Sequence, residues 1–308
     1  MIRLAAALLL LACDAAADAQ AVEMRMIPAP DRDGRRAAPP PPDLATIPET
    51  EFRILLSERR LHGPLRSEAI AAFRHRFTSE AARAFALNAE AQTRLDARDP
   101  EGALALYTQV RTEFGESRDP AVEAEVAEAM QGQVQALGAA EARADAGPLE
   151  PLTPESIDLD SRSNRLRQEI VTRFAGRAEP AIRTVVAQER FNLIELETIR
   201  SVRFTDPPRL TALIAEFEDS EEPRIRRLIA DILMRLARFE PDDRAAIAYL
   251  DDFLRRFGHS TERELRSLVF DAYDNKRYLL EQLGEDARAA LVQAEQSAWF
   301  GRAYPQDE

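Results

Sequence analysis

The sequence predicts an all-α protein, an α-solenoid of stacked antiparallel helical hairpins. Three observations lead to this prediction. Helical signals are nearly continuous from Pro48 onward. No stretch shows the strict alternation of apolar and polar residues, bounded by turn residues, that is typical of a strand. One spacing of phenylalanine, proline and β-branched residues recurs along the chain, as it does in repeat proteins. The 308 residues are enough to bury a sizeable core.

Three copies of the recurring pattern share the same internal spacing. A phenylalanine is followed six residues later by proline, and eight and twelve residues later by β-branched residues. The copies are Phe114, Pro120, Val122 and Val126; Phe174, Pro180, Ile182 and Val186; and Phe217, Pro223, Ile225 and Ile229. An alanine follows directly in each of these copies. A fourth copy with Phe257, Leu265 and Val269 has Arg263 in place of the proline, and Phe270 in place of this alanine.

The spacing has a physical cause. The phenylalanine closes the first helix of a pair with a large apolar side chain. Proline at the first position of the next helix costs no hydrogen bond, because that N–H would have no partner in the helix. Two β-branched residues four apart then lie on one face of the second helix, against the first. The residues before Phe114 and before Phe257 also align with each other, and Tyr107 lies in this part of the predicted repeat core.

Two segments resemble the tetratricopeptide repeat family. One is 95–114, with Asp99-Pro100-Glu101-Gly102-Ala103-Leu104 and Tyr107; the other is 257–289. The resemblance implies helical hairpins stacked into a superhelix whose concave groove binds peptides or partner proteins. Phe114 and Phe174 are 60 residues apart, which is too long for one such repeat. A HEAT-like or mixed α-solenoid therefore stays open.

The N-terminus is predicted to be a signal peptide. Basic Met1–Arg3 precedes the apolar run Leu4–Ala12, which is too short to span a bilayer and suits a signal-peptide core. Cys13, the only cysteine, follows residues that resemble a lipobox. Lipidation at Cys13 would remove residues 1–12, whereas ordinary cleavage would remove residues 1–21. Both routes predict export to the periplasm, and the first also tethers the protein to a membrane.

The rest of the chain divides by composition. Four consecutive prolines at 39–42 favour extended polyproline II over helix. Glycine and proline are also frequent between residues 138 and 158. The predicted organisation is a Pro-rich disordered linker over 22–47, N-terminal helical repeats over 48–137, a loop over 138–158, C-terminal helical repeats over 159–300 and a tail over 301–308.

Composition and motifs exclude several classes of function. A net charge of −13, with arginines intermixed with acids, disfavours nucleic acid as a partner. His62, His75 and His259 are not spaced as metal ligands. The sequence has no glycine-rich phosphate loop and no nucleophile elbow. We therefore predict no metal, no cofactor and no enzymatic activity.

The predicted function is a non-enzymatic protein-binding scaffold or adaptor in the bacterial cell envelope. Its partner would be a protein or peptide bound in the concave groove of the solenoid. Two alternatives stay open: an accessory helical domain of a cell-wall enzyme, and a structural protein that associates with itself. Trp299 and Phe300 are interpreted as a cap on the last repeat, with an exposed binding anchor as the alternative.

Overall fold

The computed structural model describes residues 44, 46–57, 61, 63–144, 161–201, 203–260 and 262–304. The chain divides into two compact units, Met1–Ser156 and Ile157–Glu308. The described residues form twelve helices and no strand, so the prediction of an all-α protein is confirmed. The predicted signal peptide and Cys13 lie outside the described residues, as does most of the predicted linker.

Unit 1 contains five helices within the described residues. They are α1 (Glu49–Ser57), α2 (Gly63–Arg76), α3 (Glu80–Asp96), α4 (Pro100–Phe114) and α5 (Pro120–Ala144).

Unit 2 contains the other seven helices. They are α6 (Arg162–Arg173), α7 (Pro180–Arg200), α8 (Pro207–Phe217), α9 (Pro223–Phe239), α10 (Asp243–Phe257), α11 (Arg263–Gln282) and α12 (Asp286–Ala303). We call α6, α8, α10 and α12 the first helices, and α7, α9 and α11 the second helices.

Packing within each unit is local in sequence. Within a unit, every helix packs on the next one in the chain, and α3 also packs on α5, α7 on α9, and α9 on α11. Among the described residues, no extensive helix contact within a unit joins elements further apart than this. The second helices of unit 2 therefore form a packed row, whereas its first helices do not pack extensively on one another.

Helix boundaries follow local hydrogen-bonding rules. The Ser79 hydroxyl accepts from the N–H of Ala82 (3.1 Å), and Asp242 accepts from the N–H of Ala245 (2.8 Å). Such side-chain caps satisfy N–H groups that have no partner inside the helix. Proline begins α4, α5, α7, α8 and α9. These signals are present in the sequence, which is why the helix starts predicted at Pro120, Pro180 and Pro223 agree with the structure.

Two predicted boundaries differ from the structure. Helix α5 continues to Ala144, inside the segment 138–158 that was predicted to be a loop. Gly138 alone does not end a helix, because one glycine costs only about 1 kcal/mol and the alanines and glutamate that follow favour helix. Helix α12 likewise continues to Ala303, beyond residue 300.

The last residues of the predicted linker are bound to unit 1. Arg76 at the end of α2 donates hydrogen bonds to the carbonyl oxygens of Leu44 and of Ile47, the latter at 2.9 Å. The side chains of Leu44 and Ile47 pack against a core that includes Phe52 and Phe73. The folded body therefore includes residues that composition alone assigned to the linker.

Gly132 permits the close packing of α5 on α4. A Cβ atom at this position would overlap the ring of Tyr107, which is buried. We expect Gly132→Ala to lower the free energy of unfolding by about 1–3 kcal/mol, as overpacked cores do. Gly138→Ala in the same helix is the matched control, because a Cβ there meets nothing within 4 Å. It should stabilise by up to about 1 kcal/mol. Urea unfolding followed by circular dichroism measures both, and equal effects would contradict this account.

Candidate protein-binding surface

The apolar residues of the recurring pattern lie in the core. All four phenylalanines are buried, and so is each residue eight and twelve positions later. These residues are Phe114, Val122 and Val126; Phe174, Ile182 and Val186; Phe217, Ile225 and Ile229; and Phe257, Leu265 and Val269, with Tyr107 buried as well. Pro120, Pro180 and Pro223 are exposed at the first residue of their helices. The prolines therefore set helix starts and do not contribute to the core.

A serine in the turn recurs with the phenylalanine, a feature that sequence analysis missed. The N–H of Ser117 donates to the carbonyl of Phe114 (3.0 Å), and the N–H of Ser220 does the same to Phe217 (3.0 Å). Each serine hydroxyl then accepts from the N–H two residues later, at 3.3 Å in both turns. Ser260 repeats this geometry after Phe257. The turn after Phe174 has Gly176 and Arg177 instead.

An arginine stacks on the buried phenylalanine of the next hairpin, which sequence analysis also missed. The guanidinium of Arg183 on α7 lies 5.3 Å from the ring centre of Phe217, and Arg226 on α9 lies 5.7 Å from that of Phe257. Both arginines come three residues after the proline that begins their helix. This fixed interval is the signal that would have revealed them. Cation–π contacts of this kind join consecutive hairpins.

A pocket of about 270 Å³ lies between the ends of the first helices α6 and α8. Its apolar lining comes from Phe174, Val186 and Phe217, so two of the recurring phenylalanines form part of it. Arg183 and Glu216 are among its polar lining residues. The volume is below the range of about 300–1,000 Å³ that is usual for small-molecule sites. A side chain of a bound protein suits it better than a cofactor.

Two half-buried ion pairs join helices that are not adjacent in the chain. In unit 1, Arg53 on α1 donates to Glu125 on α5 (2.7 Å), which also accepts from Asn88 on α3 (3.0 Å). Burial raises the pKa of Glu125 to about 7, although Arg53 and Asn88 lower it. In unit 2, Arg235 on α9 pairs with Glu195 on α7 at 2.5 Å. Burial also raises the pKa of Glu195 to about 7, although Arg235 lowers it.

Several aromatic side chains on unit 2 are exposed. Trp299 is fully buried and donates to the carbonyl of Ser260 (3.0 Å), whereas its neighbour Phe300 is 49% exposed. The pair interpreted as one cap is thus split between a core residue and a surface residue. Phe270 and Tyr278 on α11 are also exposed. Exposed aromatic residues are typical anchors of protein interfaces.

The described residues contain no group of three or more histidine, cysteine, aspartate or glutamate side chains that could hold a metal ion. In the same part of the chain, no helix is long and apolar enough to cross a membrane. Comparison of the chain with protein-family models, with curated proteins and with solved structures finds no match. The resemblance to tetratricopeptide repeats therefore stays a prediction.

We expect the recurring phenylalanines to dominate the stability of their hairpins. Phe217→Ala should lower the free energy of unfolding by about 3–5 kcal/mol, because it leaves a cavity in the core. Phe204→Ala in the same unit is the matched control, since Phe204 is exposed and stacks on Phe239 at the surface. Its cost should be about 1 kcal/mol. Fluorescence of Trp299, the only tryptophan, follows the unfolding of unit 2 in urea. Similar losses in the two variants would contradict the role given to Phe217.

The raised pKa of Glu195 makes stability depend on pH. Between about pH 4.5 and 7 the folded protein keeps a proton that the unfolded chain has lost, so stability falls as pH rises through this window. The loss is at most about 1.4 kcal/mol per pH unit. Glu195→Gln should flatten the dependence measured by Trp299 fluorescence in urea at pH 5 and pH 8. Glu221 is exposed, so Glu221→Gln serves as the control and should leave the pH dependence of stability unchanged. An unchanged slope in Glu195→Gln would rule out this carboxyl as the cause.

Proposed function

We propose that this chain is a protein-binding α-solenoid scaffold of the bacterial cell envelope, exported through its N-terminal signal peptide. The observation that carries the proposal is the local packing of the helices. Within each unit, each helix packs on its neighbours in sequence, and the first helices of unit 2 do not pack extensively on one another. Arrays of this type generally act by binding other proteins along their exposed surfaces.

The recurring register supports the solenoid part of the proposal. Buried phenylalanines, serine turns and arginine stacks recur at fixed intervals in unit 2, and Arg83 stacks on Phe114 at 5.2 Å in unit 1. In a solenoid, each hairpin makes the same set of contacts with the next hairpin. Tetratricopeptide-like repeats are the family that we propose for it.

The pocket between α6 and α8 supports binding along the first helices. Because α6 and α8 do not pack extensively on each other, the space between their ends stays open and is lined by Phe174 and Phe217. Arg183 stacks on Phe217, which leaves a guanidinium edge beside the apolar lining. An apolar side chain next to a carboxylate in a partner protein would complement this surface.

Filling the pocket should abolish partner binding. Ala178 is exposed and lines the pocket, whereas Ala175 is exposed in the same turn and does not line it. We expect the wild-type chain and Ala175→Trp to capture the same protein from envelope extracts after cross-linking, and Ala178→Trp to lose it. Each variant adds a second tryptophan, so fluorescence would no longer report on Trp299 alone. Circular dichroism is therefore the measurement that checks whether both variants fold.

Three outcomes would contradict the proposal. If Ala178→Trp captures the protein as well as the wild type does, then the pocket is not the binding surface. If no protein is captured and the chain degrades purified cell wall, then the alternative of a domain in a cell-wall enzyme is correct. If the chain captures only itself, then it is a self-associating structural protein.

A further inference from the structure

Three helices have an arginine at the same position, and each arginine makes the same ring contact. Each lies three residues after the first residue of its helix, with its guanidinium over the phenylalanine that ends the following helix. The distances to the ring centre are 5.2 Å for Arg83 and Phe114, 5.3 Å for Arg183 and Phe217, and 5.7 Å for Arg226 and Phe257. The N–H groups of a guanidinium point outward in its plane, so a guanidinium that is stacked by its face still has donors for a carboxylate.

Two of these arginines bind a carboxylate of this chain. Arg83 donates to Glu113, the residue before the phenylalanine of α4, at 3.2 Å. Arg226 donates to Glu262, the residue before α11, at 3.0 Å. In both places the guanidinium has its face on a phenylalanine and an N–H group on a glutamate side chain.

Arg183 has the ring contact without the carboxylate. Glu216, the residue before the phenylalanine of α8, pairs with Arg190 instead. Glu222 precedes α9 as Glu262 precedes α11, yet in the part of the chain that the structure describes no carboxylate lies within ion-pairing distance of the Arg183 guanidinium. Because Arg183 lines the pocket between α6 and α8, an acidic side chain that enters the pocket can reach it.

An ion pair spans the equivalent space between α8 and α10. Arg256, the residue before the phenylalanine of α10, pairs with Glu218, the residue after the phenylalanine of α8 (3.3 Å). Between α6 and α8 the corresponding residues are Glu216 and Ala175, which cannot form such a pair. The pocket is therefore open at the junction that lacks this ion pair.

The charges that line the pocket favour an acid over a base. Glu216 is the one acid among the described lining residues, and its carboxylate is already paired with Arg190. A lysine or arginine of a partner would have to compete with Arg190 for it. A carboxylate, in contrast, finds the guanidinium of Arg183 without a competing acid.

We propose that this pocket selects protein segments in which an aspartate or glutamate lies next to an apolar residue, and that Arg183 binds the acidic side chain. The acid completes the arrangement that Arg83 and Arg226 already have within the chain. The apolar neighbour packs on Phe174 and Val186 in the same pocket. This inference rests on the proposed function, because it names the chemistry of the partner that the pocket binds.

Two blocked dipeptides that differ only in charge are the probes. We expect acetyl-Leu-Glu-amide to bind the full chain in saturation-transfer NMR titrations. Acetyl-Leu-Gln-amide has the same size but no charge, and it should bind at least tenfold more weakly. Acetyl-leucine, which has a free terminal carboxylate and no acidic side chain, should also bind at least tenfold more weakly than the first dipeptide.

Variants of the chain test the role of Arg183. Arg183→Gln should weaken binding of acetyl-Leu-Glu-amide at least tenfold, to the level of the glutamine dipeptide. Arg226→Gln is the matched control, because it removes the equivalent arginine outside the pocket and should leave binding unchanged. Ala175→Glu combined with Glu216→Arg places the ion pair of the next junction across the pocket and should also weaken binding. Circular dichroism checks that all variants fold.

Four results would overturn the inference. They are absence of dipeptide binding, equal binding of the glutamine dipeptide, unchanged binding to Arg183→Gln, and tighter binding of acetyl-leucine, which would make a chain terminus the ligand. Capture from envelope extracts separates this inference from the proposed function. If Arg183→Gln still captures the protein that Ala178→Trp loses, then the pocket binds a partner but Arg183 does not select it. If the wild-type chain captures nothing, the proposed function fails, whatever the dipeptides do.

Discussion

The burial of one phenylalanine at the end of α4, α6, α8 and α10 is the contact on which these hairpins depend. Phe217 shows how the other contacts follow from it. Its carbonyl accepts from the N–H of Ser220, which turns the chain toward α9, and Arg183 of the preceding hairpin stacks on its ring. One residue thus joins the core, the turn and the previous hairpin, so its spacing along the sequence sets the spacing of the helices.

Electrostatics adds a second layer to this packing. The ion pairs of Glu125 with Arg53 and of Glu195 with Arg235 lie between helices that are not consecutive in the chain. Burial raises the pKa of each carboxyl because it disfavours the charged form. The paired arginine offsets only part of this desolvation cost. We expect these ion pairs to specify which helices pack together more than they stabilise the fold.

The proposed function depends on one pocket of unit 2, which lies between α6 and α8. The pocket is small and is lined by core phenylalanines with arginine beside them. Its size suits one side chain of a partner protein, in keeping with the proposed role as a scaffold.

The sequence by itself determined the all-helical class, most helix starts and the buried face of each second helix, because prolines, caps and the interval from Phe to β-branched residues act locally. It did not reveal that α5 continues past Gly138, since a single glycine is a weak signal. It also did not separate buried Trp299 from exposed Phe300, or mark Phe270 as a surface residue. Only the tertiary structure decided these points, because whether a helix face is covered depends on which other helix packs over it.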